Sequence, residues 1–244
     1  GMAQHLQLLG GDAGLGGGVA QRVRNLKRVA RAAATDETQP TFSLWHFIQR
    51  RGSGLGWLTA EYSLLPSSTR ERTPREAVRG RQDGRTVEIQ RFIGRSLRAV
   101  VDFAALGERT VYVDCDVVEA DGGTRCVAVA GGYLALHLAL KRAVDARALR
   151  TLPLNDSVAA VSVGVVGGMP VLDLEYEEDC AAEVDMNVVM TGKGDFIEVQ
   201  ATAENRPFAR AILDELLGLA EQGIAQIKAA QMEIVARTCV PATE

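Results

Sequence analysis

The chain is short of the residue types on which many sites are built. It has three histidines, His5, His46 and His137, far apart and with no motif around any of them. A serine-type triad needs a histidine base beside a nucleophile, so that chemistry finds no support. The four cysteines, Cys115, Cys126, Cys180 and Cys239, keep neither zinc-finger nor dithiol spacing and read as reduced, buried or incidental thiols. His137 lies in the apolar run 133–140, where a satisfied helix histidine is the better reading. A Walker-type Gly-x-x-x-x-Gly-Lys-Ser run is missing, which disfavours a small-molecule kinase. No secretory signal is evident, and Gly1 reads as an addition ahead of a natural Met2 start. No apolar run approaches the roughly 20 residues of a membrane span. The expectation is a cytoplasmic protein with no membrane partner.

What is present suffices for a sizeable core: 244 residues, 47% hydrophobic and 24% charged. The net charge of −4 speaks against a protein coated in nucleic acid, yet the charge is unevenly placed. Between Arg70 and Arg98 stand nine arginines, no lysine and four acids, a net of +5 that leaves −9 for the rest. One basic strip on an acidic body suits a protein that grips phosphates at one place.

Along the chain, residues 10–18 are glycine-rich and loop-like, and Val19–Ala34 reads as a basic amphipathic helix. From Gly52 the pattern is regular. A glycine bend leads to a short strand, Leu58–Tyr62, followed by an amphipathic helix over Thr86–Val101 and a strand over Thr110–Val118. A helix over Cys126–Val144 is apolar nearly all round, which implies burial. Val158–Val166 and Val171–Tyr176 form a hairpin around Gly167-Gly168, and Met186–Thr191 and Phe196–Thr202 form another around Gly192–Asp195. A final helix covers roughly Ala209–Val235. Strands in hairpin pairs with helices between them predict an α+β fold with mixed sheets, built as two related βα units in one domain over residues 51–240.

Four groups of residues carry chemistry. Asp83-Gly-Arg-Thr86 opens a helix, where unpaired amides and the positive end of the helix dipole suit an anion and Arg85 adds a fork of donors; capping explains the same residues equally well. Gly122-Gly123-Thr124-Arg125 is a second glycine turn entering a helix, readable as an anion cradle or as a tight turn with an exposed arginine. Two such starts in one chain strengthen the anion reading, because a free phosphate has oxygens enough for both.

The third group is acidic. Residues 171–185 hold seven acids and no lysine or arginine, so they are either a solvated loop or the holders of a cation such as Mg²⁺. Alternation puts Asp173 and Glu175 on the solvent face of a strand, leaving Asp179 and Asp185 as the site candidates. The fourth is the strip Arg70, Arg72, Arg75, Arg79 and Arg81, in a loop or short helix, suited to bidentate phosphate contact or to self-association.

Taken in order, these segments resemble the ribonuclease PH family from about Arg51 onward. The resemblance rests on Gly52-Ser-Gly-Leu-Gly-Trp-Leu-Thr-Ala-Glu-Tyr62, Gly84-Arg-Thr-Val-Glu-Ile-Gln-Arg91, Asp114-Cys-Asp116, Ala120-Asp-Gly-Gly-Thr-Arg125, Leu172-Asp-Leu-Glu-Tyr176 and Asp185-Met-Asn-Val-Val-Met190. It implies a duplicated βαβα core of the ribosomal protein S5 domain 2-like fold and a homohexamer built from dimers. It implies a phosphorolytic exoribonuclease, a nucleotidyltransferase that trims the 3′ trailer of transfer-RNA precursors with inorganic phosphate as co-substrate and releases nucleoside diphosphates. Carried over by motif, Arg85, Gly123, Thr124 and Arg125 resemble the phosphate-binding residues. Asp179 and Asp185 resemble the catalytic carboxylates associated with Mg²⁺, and Arg72 and Arg75 match positions that meet RNA. Ser67 stands where the family usually has a further arginine.

The first 50 residues depart from the family. Its strand-forming start is not evident there, and Ala/Gly/Arg-rich content of similar length is what a GC-rich gene read in a shifted frame would produce. On that reading the sheet lacks its first strands, and a catalytically inactive RNA-binding or ring-forming subunit becomes the alternative to an active enzyme.

Overall fold

A run of β-branched and aromatic residues with alternate burial builds the centre of the first sheet. In β3 (Thr110–Val117), Val111, Val113, Cys115 and Val117 face inward while Tyr112, Asp114 and Asp116 face out. The structure, a computed structural model, describes residues 30–36 and 52–238. β2 (Trp57–Leu64) runs parallel to β3, with Trp57 opposite Thr110 and Leu64 opposite Val117. A parallel pair needs a crossover, and α1 (Glu76–Arg79), α2 (Gly84–Arg98) and α3 (Phe103–Leu106) supply it. The other edge is β1 (Ala30–Asp36), antiparallel to β3, giving the order β1-β3-β2.

β1 corrects two expectations. Residues 30–34 belong to a strand and not to the end of a helix over Val19–Ala34, and the sheet does have a strand on that edge. Helix propensity in Ala-Arg-Ala-Ala-Ala is a weak preference, and pairing along all seven residues of β1 overrides it. Residues 19–29, with the glycine-rich stretch 10–18 and most of the segment read as frame-shifted, lie outside the described residues.

The second sheet is antiparallel throughout, in the order β5-β4-β6-β7. It comprises β4 (Val158–Val166), β5 (Met169–Leu172), β6 (Val184–Thr191) and β7 (Phe196–Ala203), so both hairpins form as expected. β5 is shorter than the strand predicted over Val171–Tyr176. Asp173 adopts φ +61°, which ends the strand, and the residues after it form α5 (Tyr176–Ala181). Three acids, Glu177, Glu178 and Asp179, occupy the first turn of α5, and Glu178 Oε2 accepts from the Glu175 amide at 3.2 Å. Acids at a helix N-terminus are stabilised by its dipole, so much of the acidic run serves to start this helix.

α4 (Thr124–Asp145) joins the two halves. It packs on β1, β3 and α2 of one and on β4 and β6 of the other, and α6 (Arg210–Thr238) covers the second sheet. β4 is sandwiched between α4 and α6, which explains why every residue from Val158 to Val165, Ser162 included, is buried. Close approach needs a small residue: a Cβ at Gly132 would stand 3.3 Å from Val113 Cγ1 and 3.4 Å from Leu97 Cδ1. Contrary to the expectation from hydropathy, α4 is long and apolar enough by itself to cross a membrane; in the structure it is the core helix common to both sheets. The architecture is the expected α+β arrangement with helices between the sheets, though only the first sheet is mixed and the second is wholly antiparallel.

Candidate active site

The start of α2 is built from outside the helix. Asp83, the residue ahead of it, accepts no capping hydrogen bond. Instead Glu76 of α1 serves the turn, its Oε1 accepting from the Asp83 amide at 3.3 Å and from Thr86 Oγ1 at 2.7 Å. Arg85 therefore has no part in closing the turn. It is exposed, and its charge acts on Tyr62 and on Asp185.

The second glycine turn is fixed by backbone packing. Gly122 and Gly123 take φ +72° and +52°, and a Cβ at Gly122 would lie 2.3 Å from Leu174 O. Only glycine fits such a contact in that conformation. The turn thus lies directly on the segment that introduces α5, and the Tyr176 amide donates to Asp121 Oδ1 at 3.4 Å. Thr124, first residue of α4, shares a hydrogen bond of 2.8 Å with the buried Tyr62 hydroxyl of β2. Arg125 is largely buried and spans three elements: from α4, its Nη1 donates to Glu88 Oε1 of α2 at 3.3 Å and to Gln200 Oε1 of β7 at 3.2 Å. Gln200 Nε2 in turn donates to Glu198 Oε1 at 3.0 Å, and Arg95 clasps the same carboxylate with Nε at 2.7 Å.

Asp179 on α5 and Asp185 on β6 complete the group. Burial raises the Asp185 carboxyl above its ordinary range, the charge of Asp179 raises it further, and Arg125 and Arg85 oppose the rise from the other side. Arg85, Arg125, Asp179 and Asp185 therefore share one electrostatic neighbourhood. Two arginines and a second carboxylate thus act on one partly buried acid, Asp185.

Arg72 and Arg75 are exposed. Arg75 precedes α1 and lines a cleft of about 580 Å³ with Tyr62, Arg81, Gln90 and Asp116, so the arginine strip borders the site through Tyr62. Sequence reasoning did not single out Tyr62, Glu88 or Gln200. All three contacts cross between elements, and no spacing in the chain connects residue 62 to 124 or 88 to 125.

Among the described residues, no set of three or more histidine, cysteine, aspartate or glutamate side chains could hold a metal ion. Asp179 and Asp185 would be the oxygen donors for a cation here, and the charge of Asp179 already acts on Asp185. That donor set fits Mg²⁺, which takes one or two carboxylates and fills its remaining positions with water and substrate phosphate.

The sequence profile of domain 1 of the 3′ exoribonuclease family matches residues 27–141, and that of domain 2 matches residues 156–223. This chain belongs to the 3′ exoribonuclease family. Among relatives in that family, Ribonuclease PH of Syntrophomonas wolfei subsp. wolfei is 57% identical over 208 residues, covering 85% of this chain and 84% of the relative. Ribonuclease PH of Solibacter usitatus is 54% identical over 204 residues, covering 84% and 83%. Solved structures share the fold at low identity. The Archaeoglobus fulgidus exosome with RNA bound to the active site gives a TM-score of 0.64 at 18% identity, over 82% of this chain and 79% of that one. Rice Rrp46 gives 0.61 at 13% identity, over 83% and 81%. The ribosomal protein S5 domain 2-like fold follows from these likenesses.

Proposed function

We infer that this member of the 3′ exoribonuclease family is a phosphorolytic 3′-to-5′ exoribonuclease that trims the 3′ trailer of transfer-RNA precursors and releases nucleoside diphosphates. The observation that supports the reading is that Arg85 and Arg125, from two separate helix starts, and Asp179 all act electrostatically on Asp185. Two guanidinium groups and the amides of the Gly123–Arg125 turn suit the capture of inorganic phosphate as co-substrate.

Held there, a phosphate oxygen attacks the terminal phosphodiester phosphorus in line. The bond from that phosphorus to the 3′ oxygen of the preceding nucleotide breaks, and the incoming phosphate becomes the outer phosphate of the released diphosphate. Arg85 and Arg125 hold two anions together against their repulsion and meet the charge spread over the transferring group. The departing 3′ oxygen needs a proton. Asp185, whose burial and neighbour favour the protonated form, is the group to give it. Mg²⁺ held by Asp179, and by Asp185 in its ionised form, would supply charge neutralisation on the phosphoryl oxygens. Arg72 and Arg75, exposed on the basic strip, are assigned to contact the RNA strand.

We further propose a cytoplasmic homohexamer assembled from dimers, with the exposed arginine strip near a subunit boundary. The inactive-subunit alternative is disfavoured, since Ribonuclease PH relatives more than half identical span most of the chain. In a phosphorolysis assay on a short RNA, Arg85→Ala and Asp185→Asn should each abolish phosphate-dependent release of nucleoside diphosphates. Full activity in both variants would overturn the site assignment.

A further inference from the structure

We propose that Tyr62 is a positioning residue for the attacking phosphate: its hydroxyl fixes the Thr124 hydroxyl so that the threonine's one hydrogen is aimed at the anion between Arg85 and Arg125. The inference rests on the reading of Thr124 and the two arginines as a phosphate cradle. It begins with the 2.8 Å hydrogen bond between Tyr62 Oη and Thr124 Oγ1, which joins the middle of β2 to the first residue of α4.

Each hydroxyl has a single hydrogen and two lone pairs, so the bond has two possible polarities. If Thr124 donated, its hydrogen would be spent on the tyrosine and the phenol hydrogen would need another acceptor. If Tyr62 donates, the threonine hydrogen is free for a further acceptor. Phosphate at the start of α4 is such an acceptor, and it favours the order tyrosine to threonine to anion. Each bond in that chain polarises the next.

Two further observations support this order. Tyr62 is only 5% exposed, so its hydroxyl must find a partner within the protein. Burial also pushes the phenol above its usual range, which keeps the hydrogen on the tyrosine although Arg85 and Arg125 both act on it. Those same arginines bear on Asp185, so Tyr62 lies at the edge of the field that the anion would occupy. The simpler alternative is that Thr124 merely satisfies a buried phenol. It predicts an effect on stability and none specific to phosphate.

The test is steady-state phosphorolysis of a short RNA, titrating inorganic phosphate and RNA separately, for Tyr62→Phe, Thr124→Val, Thr124→Ser and the double variant Tyr62→Phe/Thr124→Val. A net hydrogen bond is worth about 1 kcal/mol, so Tyr62→Phe should raise the KM for phosphate by roughly three- to tenfold, with little change in the KM for RNA. Thr124→Val should do at least as much, Thr124→Ser should stay near the parent, and the double variant should be no worse than Thr124→Val. An effect of Thr124→Val with none of Tyr62→Phe overturns the role of Tyr62 and leaves the cradle standing. No effect of Thr124→Val overturns the cradle reading, and the inference with it. Multiplicative effects in the double variant, or equal rises in both KM values, show that Tyr62 acts by another route and overturn the inference.

Discussion

Arg125 of α4 and Glu88 of α2 form an ion pair, with Nη1 3.3 Å from Oε1. The pair ties the two helices that begin at the two glycine turns, and it also places a negative charge beside the proposed anion site. Gln200 holds the same nitrogen at 3.2 Å, so the guanidinium keeps a tether when the charge on Glu88 is removed. Glu88→Gln should therefore lower the KM for phosphate by about two- to fivefold, the scale of a part-exposed charge interaction. A phosphate titration checks this. A rise in KM would mean that Glu88 serves chiefly to orient Arg125.

Asp185 couples activity to stability. Its carboxyl lies above the ordinary value of 3.8 in the fold because of burial and Asp179, so the folded state binds its proton more tightly than the unfolded chain does. Its contribution is complete below about 3.8 and is lost as pH rises through the raised folded value, leaving the ionised form a liability at neutral pH. Asp185→Asn should melt higher than the parent at neutral pH, with the difference shrinking in acid. It should also lose at least about a hundredfold in kcat, the usual scale of a missing proton donor. Thermal melts at several pH values and single-turnover rates test both halves.

His137 works in the opposite direction. Tyr133 meets its Nδ1 at 3.4 Å, and burial and then the charge of Lys141 lower its pKa below 6.5. The unfolded chain then binds the proton more readily, so this stability is present above 6.5 and is lost as pH falls through the lowered folded value. Urea midpoints of His137→Gln should fall less steeply than those of the parent as pH drops below 6.5. Parallel curves would show that other groups set the acid limit.

Gly122→Ala probes the turn itself. The φ of +72° alone costs roughly 1–3 kcal/mol for alanine, before the clash with Leu174 O at 2.3 Å. The variant should be destabilised and should bind phosphate poorly, because displacing the turn moves Thr124 and Arg125 away from α5. Chemical denaturation together with a phosphate titration reads both effects.

Much of this architecture is legible in the sequence because it rests on local pattern. Alternation along β3, the glycine-marked hairpins and the all-round apolar α4 each announce their element, and the positions after Gly84 and Gly123 announce helix starts. Strand β1 is hidden by helix-favouring alanine and arginine, since only pairing with β3 makes it a strand. Helix α5 is hidden because seven acids read as charge, whereas several serve the N-terminus of a short helix. The candidate site is legible by residue type at Arg85, Arg125, Asp179 and Asp185. Its supporting contacts, Glu76 beneath Thr86, Tyr62 on Thr124 and Glu88 with Gln200 on Arg125, join residues separated in the chain and emerge only from the fold.

The nucleophile that reaches the RNA decides the account most directly. An RNA incubated with isotopically labelled inorganic phosphate should shorten from its 3′ end only when phosphate is present, with the label in the outer position of the released nucleoside diphosphates. Release of unlabelled nucleoside monophosphates, at a rate indifferent to phosphate, would mean that water attacks and that Arg85 and Arg125 hold no attacking anion.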